Sequence, residues 1–325
     1  MFGKELKGRS AKGFPPFRFP DLLLFLTFAI KCVCMREAFI KLHLSILLAG
    51  FTGILGKLIS LSEGVLVWYR MFLTSLILLL ILWIGKKLRK VSFRDFLKMA
   101  GVGLLLALHW LFFFGSIKAS NVSIGVVCFS VTGFFSAIFE PLFGRRKISF
   151  RELLYSVVAV LGILLIFQFD MRYRYGIMLG VVSSALAALY TISNKKVGSL
   201  APSSSILLYE MIGGVTFLSC LLPFYLYFSP QEYLIPNALD FIYLLLFAIF
   251  CTICMNILQI QALKNISAFT MNLSYNLEPV YSIILAMIIF GEAKDLNLAF
   301  YAGLSLIVFS VFLQMGSVMK QRKVK

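Results

Sequence analysis

Long apolar runs alternate with short polar connections along almost the whole chain. Ten runs are of membrane-crossing length: 42–61, 65–84, 96–117, 122–143, 153–169, 176–194, 205–228, 241–260, 267–289 and 297–317. A bilayer core about 30 Å thick takes about 20 helical residues at 1.5 Å each, so every run predicts one transmembrane helix. The longest internal links are 85–95, 144–152 and 229–240, too short to form a soluble domain. The pattern predicts an all-α, polytopic membrane protein.

Met1–Pro20 is basic and Pro-rich, and Leu22–Ile30 is apolar but too short to span before Lys31 interrupts it. No small-residue cleavage site follows. This stretch, residues 1–38, reads as an N-terminal extension: either translation starts at Met35, or the segment lies at the interface.

Composition sharpens the class. Of 325 residues, 60% are apolar and 14% charged, whereas a soluble domain is nearer half apolar and a quarter charged. The net charge of +17 would suggest nucleic acid if it formed a basic face. Instead the Lys and Arg residues lie in short clusters between the runs, which marks cytoplasmic loops. With the N-terminus inside, the inside loops hold Lys86, Lys87, Arg89, Lys90 and Arg94, then Arg145, Arg146, Lys147 and Arg151, then Lys195, Lys196 and Lys264. The outside loops hold only Lys118, Arg172, Arg174 and Lys294. Both termini are expected in the cytoplasm, the basic tail 318–325 included. Cys251 and Cys254 have redox or metal spacing, but inside an apolar helix they read as packing.

The two halves, 39–170 and 171–317, resemble each other. Tyr69-Arg70-Met71 in the second run aligns with Tyr209-Glu210-Met211 in the seventh, Lys57 with Lys195, and Phe143-Gly144-Arg145 with Phe290-Gly291-Glu292. Five helices is an odd number, so the copies are inverted relative to one another. Inverted repeats give carriers two near-equivalent conformations around a midplane site.

On these residues the chain resembles the drug/metabolite transporter superfamily, in its bacterial branch of paired EamA domains. The most specific stretch is Leu277-Glu-Pro-Val-Tyr-Ser-Ile-Ile-Leu-Ala-Met-Ile-Ile-Phe-Gly-Glu292, with Arg70 where the family commonly has an arginine. The first copy departs from the pattern: Thr132 replaces its proline, and Gly144-Arg-Arg its Gly-Glu-Arg. The resemblance implies a carrier of small organic solutes, often an exporter, in a bacterial inner membrane, as a monomer or homodimer and without a bound cofactor.

Polar groups inside apolar helices nominate the site, because facing lipid would cost them several kcal/mol. On a straight helix Asn272, Tyr275, Asn276, Pro279 and Ser282 fall within about 120° of arc, with Glu278 about 40° beyond. They form either a solute cavity or an interhelical network, and Glu278 is a candidate proton carrier. Arg70 suits a substrate carboxylate or can snorkel to outer headgroups. Tyr190 and Asn194 share a face of the sixth run, and His109 either binds solute or makes an interhelical contact. Asn256 and Gln259 are a weaker pair, and Glu210 leans structural. The expected substrate is an amino acid or similar amphipathic metabolite, exported by alternating access, with a proton as the candidate coupling ion. No P-loop is present. The alternatives are a nucleotide-sugar or lipid-phosphate carrier, for which Arg70 and Lys57 are the basic candidates, and an intramembrane enzyme, for which His43 and His109 fall in different spans.

Overall fold

The computed structural model describes residues 19–143, 150–169, 171–228, 230–231, 233–275, 277–294 and 297–323, with most side chains described between residues 35 and 313. Fourteen α-helices follow one another among these residues: α1 (Phe19–Gly50), α2 (Thr52–Leu58), α3 (Glu63–Ile84), α4 (Phe93–Ala119), α5 (Val122–Phe129), α6 (Thr132–Phe143), α7 (Phe150–Phe169), α8 (Arg174–Val197), α9 (Ser203–Phe228), α10 (Ala238–Ala248), α11 (Met255–Leu263), α12 (Ala268–Tyr275), α13 (Glu278–Phe290) and α14 (Leu298–Lys323). No strand occurs among them. Among the described residues seven segments are long and apolar enough to cross a membrane: Met35–Leu58, Glu63–Ile84, Phe93–Ala119, Val122–Phe143, Arg174–Val197, Ser203–Phe228 and Ala238–Leu263. Glu278–Phe290 and Leu298–Ser310 are shorter apolar helices. The protein is therefore a multi-pass membrane protein. Residues 19–34, assigned to the extension, continue α1 without interruption.

Side-chain oxygens cap the start of several helices. Ser92 accepts from the Asp95 amide, Asn121 from Ile124 and Asn237 from Asp240, satisfying N–H groups that have no partner within the helix. Outward positions carry bare apolar side chains, among them Ile84, Ile288 and Leu298, each more than 70% exposed. Lipid covers such surface in a membrane protein; water would not.

Four of the apolar runs are not the continuous helices expected. The first breaks at Phe51 between α1 and α2, the fourth at Ser130–Val131 between α5 and α6, and the ninth between Tyr275 and Glu278. The eighth carries a π-helical turn at Ile249–Cys254 joining α10 to α11. Irregular backbone at this depth survives only where protein or a wet cavity satisfies the freed groups. The break before Glu278 follows from Pro279, which has no N–H to offer the carbonyl four residues back.

α3 packs on α9, α7 on α14, α5 on α13 and α6 on α12. α4 packs on both α8 and α9, α1 on both α11 and α13, α3 on α10 and α6 on α8.

Candidate functional site

The break between α12 and α13 opens on a cavity of about 50 Å³, space for a few water molecules. Its wall is made by α1, α2, α4, α5, α8, α11 and the two arms of the broken helix. Asn272, Tyr275 and Glu278 come from that broken helix, His109 and Trp110 from α4, and Tyr190 from α8. Phe113 and Phe129 add aromatic faces, and Asn256 and Gln259 add amides. An apolar and aromatic wall with a few convergent polar groups is how small-solute sites are built.

Most of these polar groups are held by neighbouring helices. The Asn272 amide donates to Ser136 Oγ on α6 (2.6 Å) and its carbonyl oxygen accepts from Thr191 Oγ1 on α8 (3.0 Å), so one side chain ties three helices. Tyr275 donates to Ser45 Oγ on α1 (3.0 Å). His109 Nδ1 lies 2.8 Å from Ser183 Oγ and 3.0 Å from the Ser183 carbonyl, which fixes the ring as an α4–α8 contact that still borders the cavity. Glu278 is 4% exposed, and no ion pair within 4 Å holds its carboxyl among the described residues.

Asn276 lies outside the described residues. Ser282, placed on the same stripe by straight-helix geometry, instead donates to the Gly50 carbonyl (2.8 Å) and packs α13 on α1. The break before Glu278 rotates the second arm, so the straight-helix arc does not carry across it.

Arg70 neither lines the cavity nor reaches the membrane surface. It is fully buried, with Nε donating to Thr252 Oγ1 and Nη2 to the Cys251 carbonyl, both at 2.8 Å. Its guanidinium stacks 3.6 Å from the Trp110 ring centroid and 4.0 Å from that of Phe247. The π turn explains the arrangement: the Met255 amide bonds to the Phe250 carbonyl, five residues back. A π turn misaligns the backbone ladder, and the Cys251 carbonyl finds its donor in Arg70.

Asn194 and Tyr190 meet a third group. Asn194 Nδ2 and the Tyr190 hydroxyl both lie 3.5 Å from Glu210 Oε2 on α9, and the Tyr190 hydroxyl lies 3.3 Å from Asn256 Oδ1. Asn194 itself is not on the cavity wall. Lys57 is also occupied, in an ion pair with Glu292 at 2.8 Å.

A model of EamA-like transporters matches this chain twice, over residues 38–168 and again over 174–315. The chain belongs to the EamA-like transporter family. It is thus a membrane transporter of the drug/metabolite transporter superfamily. This EamA-like chain is 23% identical over 295 residues to the uncharacterized transporter YxxF of Bacillus subtilis (strain 168), covering 88% of this chain and 91% of the relative. Its fold is similar to that of a protein of known crystal structure, with a TM-score of 0.62 and 14% identity over 86% of this chain and 96% of the other.

In this EamA-like bundle the sequence did not single out Thr191 and Ser136, the partners of Asn272, or Thr252, the partner of Arg70. Hydroxyls in apolar helices commonly bond the carbonyl one turn back, as Thr191 also does with Ala187 (2.9 Å). Nothing in a helical pattern separates that use from a second, interhelical one. Glu292 was quoted as part of a motif, and its role was not assigned. Its signal was Gly291, whose left-handed φ of 67° ends α13 and turns the chain back toward α5.

Proposed function

We propose that the chain is a secondary transporter of small organic metabolites, amino acids or similar amphipathic compounds, working by alternating access. Ten membrane passes form two inverted five-helix halves, at about 39–170 and 171–317, around the cavity at the α12–α13 break. Exchanging each helix with its counterpart five passes on turns the α4–α8 contact into α11–α1, α4–α9 into α10–α3, and α5–α13 into α12–α6. Every one of these contacts exists, as a pseudo-twofold axis in the membrane plane requires. The basic clusters then place both termini in the cytoplasm of a bacterial cell, and export is the direction the family resemblance implies.

The cavity carries this reading. Its wall combines the Glu278 carboxyl, the Asn272 amide and the Tyr275 and Tyr190 hydroxyls with the rings of Trp110, Phe113 and Phe129. Such a wall accepts an amine or amide-bearing solute with an apolar portion. No lysine or arginine lines it among the described residues, so it offers a polyphosphate nothing to bind. The cavity is too small for a metabolite in this conformation, and cargo enters by rocking of the halves.

The test is counterflow in liposomes. Purified protein is reconstituted in vesicles preloaded with unlabelled amino acids, and uptake of a labelled amino-acid panel is measured. Saturable accumulation that Asn272→Ala removes supports the site; full activity in Asn272→Ala moves the site away from α12.

A further inference from the structure

Two buried glutamates of this protein are held in opposite ways. Glu292 takes four short bonds: from Lys57 Nζ (2.8 Å), Ser123 Oγ (2.7 Å) and the amides of Ser123 (3.0 Å) and Val122 (3.1 Å). That is a cradle for a charge, because ionised carboxylates draw donors in to such distances. Glu210, with no exposed surface, has two contacts of 3.5 Å to Oε2, and Oε1 has no partner.

The donors around Glu210 decide where a proton sits. Asn256 Nδ2 donates to the Thr252 carbonyl (2.9 Å), which turns Asn256 Oδ1 toward Tyr190. Tyr190 has one hydroxyl hydrogen for two acceptors, Asn256 Oδ1 at 3.3 Å and Glu210 Oε2 at 3.5 Å. With that hydrogen on Asn256 Oδ1, Tyr190 presents a lone pair to Glu210 Oε2, and two facing lone pairs repel unless a hydrogen on Glu210 lies between them. Among the described residues no salt bridge holds Glu210. From α3, Arg70 is turned into the π turn and Glu63 accepts from Tyr225. From α4, Lys98 pairs with Asp95, His109 bonds Ser183 and Lys118 bonds the Ile59 carbonyl. From α8, Lys195 bonds the Ile266 carbonyl, Lys196 lies over the Phe143 ring and Arg174 is in the opposite, first turn. The polar groups of α11 near this network are the uncharged Asn256 and Gln259, and on α9 itself Tyr209 bonds the Arg89 carbonyl.

We infer that Glu210 is a proton-binding site, connected through Tyr190 to the solute cavity. An open indentation of about 340 Å³, lined by Lys195, Gly198, Ile260 and Lys264, lies at the end of α8 that faces α9. Transfer inward breaks the Glu210 O–H bond. Its proton passes to the Tyr190 oxygen as the Tyr190 hydroxyl, turned from Asn256 Oδ1 toward the cavity, gives its own proton to a water there, and Glu210 keeps the negative charge. The assignment rests on the transporter reading and names its coupling ion.

Infrared spectroscopy of the protein in lipid at pH 7 reads this proton without any substrate, so its failure leaves the cargo reading of the cavity standing. The expected result is a protonated-carboxyl C=O band that disappears in Glu210→Gln, and that shifts while persisting in Tyr190→Phe, a change that spares the ring packing. A band that survives Glu210→Gln unchanged overturns the site, and so does indifference to Tyr190→Phe. In liposomes, uptake of the labelled amino-acid panel driven by a pH gradient is expected to lose its gradient dependence in Glu210→Gln. Unchanged dependence overturns the coupling role.

Discussion

Lys57 Nζ lies 2.8 Å from Glu292 Oε1, joining α2 to the turn after α13 across 235 residues of sequence. The same carboxylate caps the first turn of α5 through the Val122 and Ser123 amides, where the helix dipole favours a negative charge. Burial by itself would push the Glu292 carboxyl up, but the bonds from Lys57 and Ser123 hold it below the ordinary glutamate range. Because the folded value is depressed, this stabilisation is present above the ordinary glutamate pKa of about 4.3 and is lost as pH falls through the folded value. Thermal unfolding of the purified protein over a pH series should therefore show an acid-side loss that Glu292→Gln removes. At pH 7 Glu292→Gln should cost about 1–3 kcal/mol. An identical acid limb in both proteins would contradict the cap.

Arg70 is a structural clamp on the π turn. Arg70→Ala leaves the Cys251 carbonyl and Thr252 without their donor and removes the stack on Trp110, so it should destabilise by about 3 kcal/mol or more. Arg70→Lys cannot reproduce the planar, two-pronged contact and should also unfold early. Thermal unfolding in detergent measures both. Unchanged melting with lost transport would return Arg70 to cargo binding.

Two glycines on α4 separate close approach from helix propensity. A Cβ on Gly103 would lie 1.9 Å from the Glu210 carbonyl oxygen, whereas one on Gly101 would meet nothing within 4 Å. Gly103→Ala should force α4 from α9 and cost about 2–3 kcal/mol. Gly101→Ala should be neutral or stabilising by about 0.5–1 kcal/mol. Melting temperatures of the two variants, measured side by side, check the pair.

Asn272 bridges α6, α8 and α12, so Asn272→Ala should reduce counterflow at least tenfold while costing about 1–2 kcal/mol of stability and leaving membrane insertion intact. Glu278→Gln should weaken counterflow of amine-bearing members of the panel and keep the infrared band assigned to Glu210. A loss of the same size for amine-bearing and neutral solutes would remove Glu278 from amine recognition.

How much of this was legible in the sequence depends on whether a feature is set by the chain itself or by its partners. Membrane-length apolar runs are fixed by bilayer thickness, so seven of the ten expected runs emerged as membrane-length segments among the described residues, within a few residues except at the start of the first. Pro279 announces its own break. The breaks at Phe51 and Ser130 and the π turn at Ile249–Cys254 carry no comparable residue signal; they persist because neighbouring groups, Arg70 among them, satisfy the freed backbone. Asn272, Tyr275 and Glu278 were legible as a polar stripe, and the structure places all three on the cavity wall. Ser282 was not, because the stripe was drawn on a straight helix. Glu210 looked structural because only the orientations of Asn256 and Tyr190 reveal that its surroundings suit a proton better than a charge.

The inversion of the two halves is tested most directly at the connections α3–α4 and α9–α10, which correspond under the pseudo-twofold. Lys87→Cys and Tyr233→Cys are introduced separately into a chain whose own cysteines are replaced by alanine, and intact cells are treated with a membrane-impermeant maleimide. Labelling of Tyr233→Cys in intact cells, and of Lys87→Cys only after the membrane is broken, is the predicted result. Labelling of both from the same side would make the halves parallel and contradict the carrier architecture.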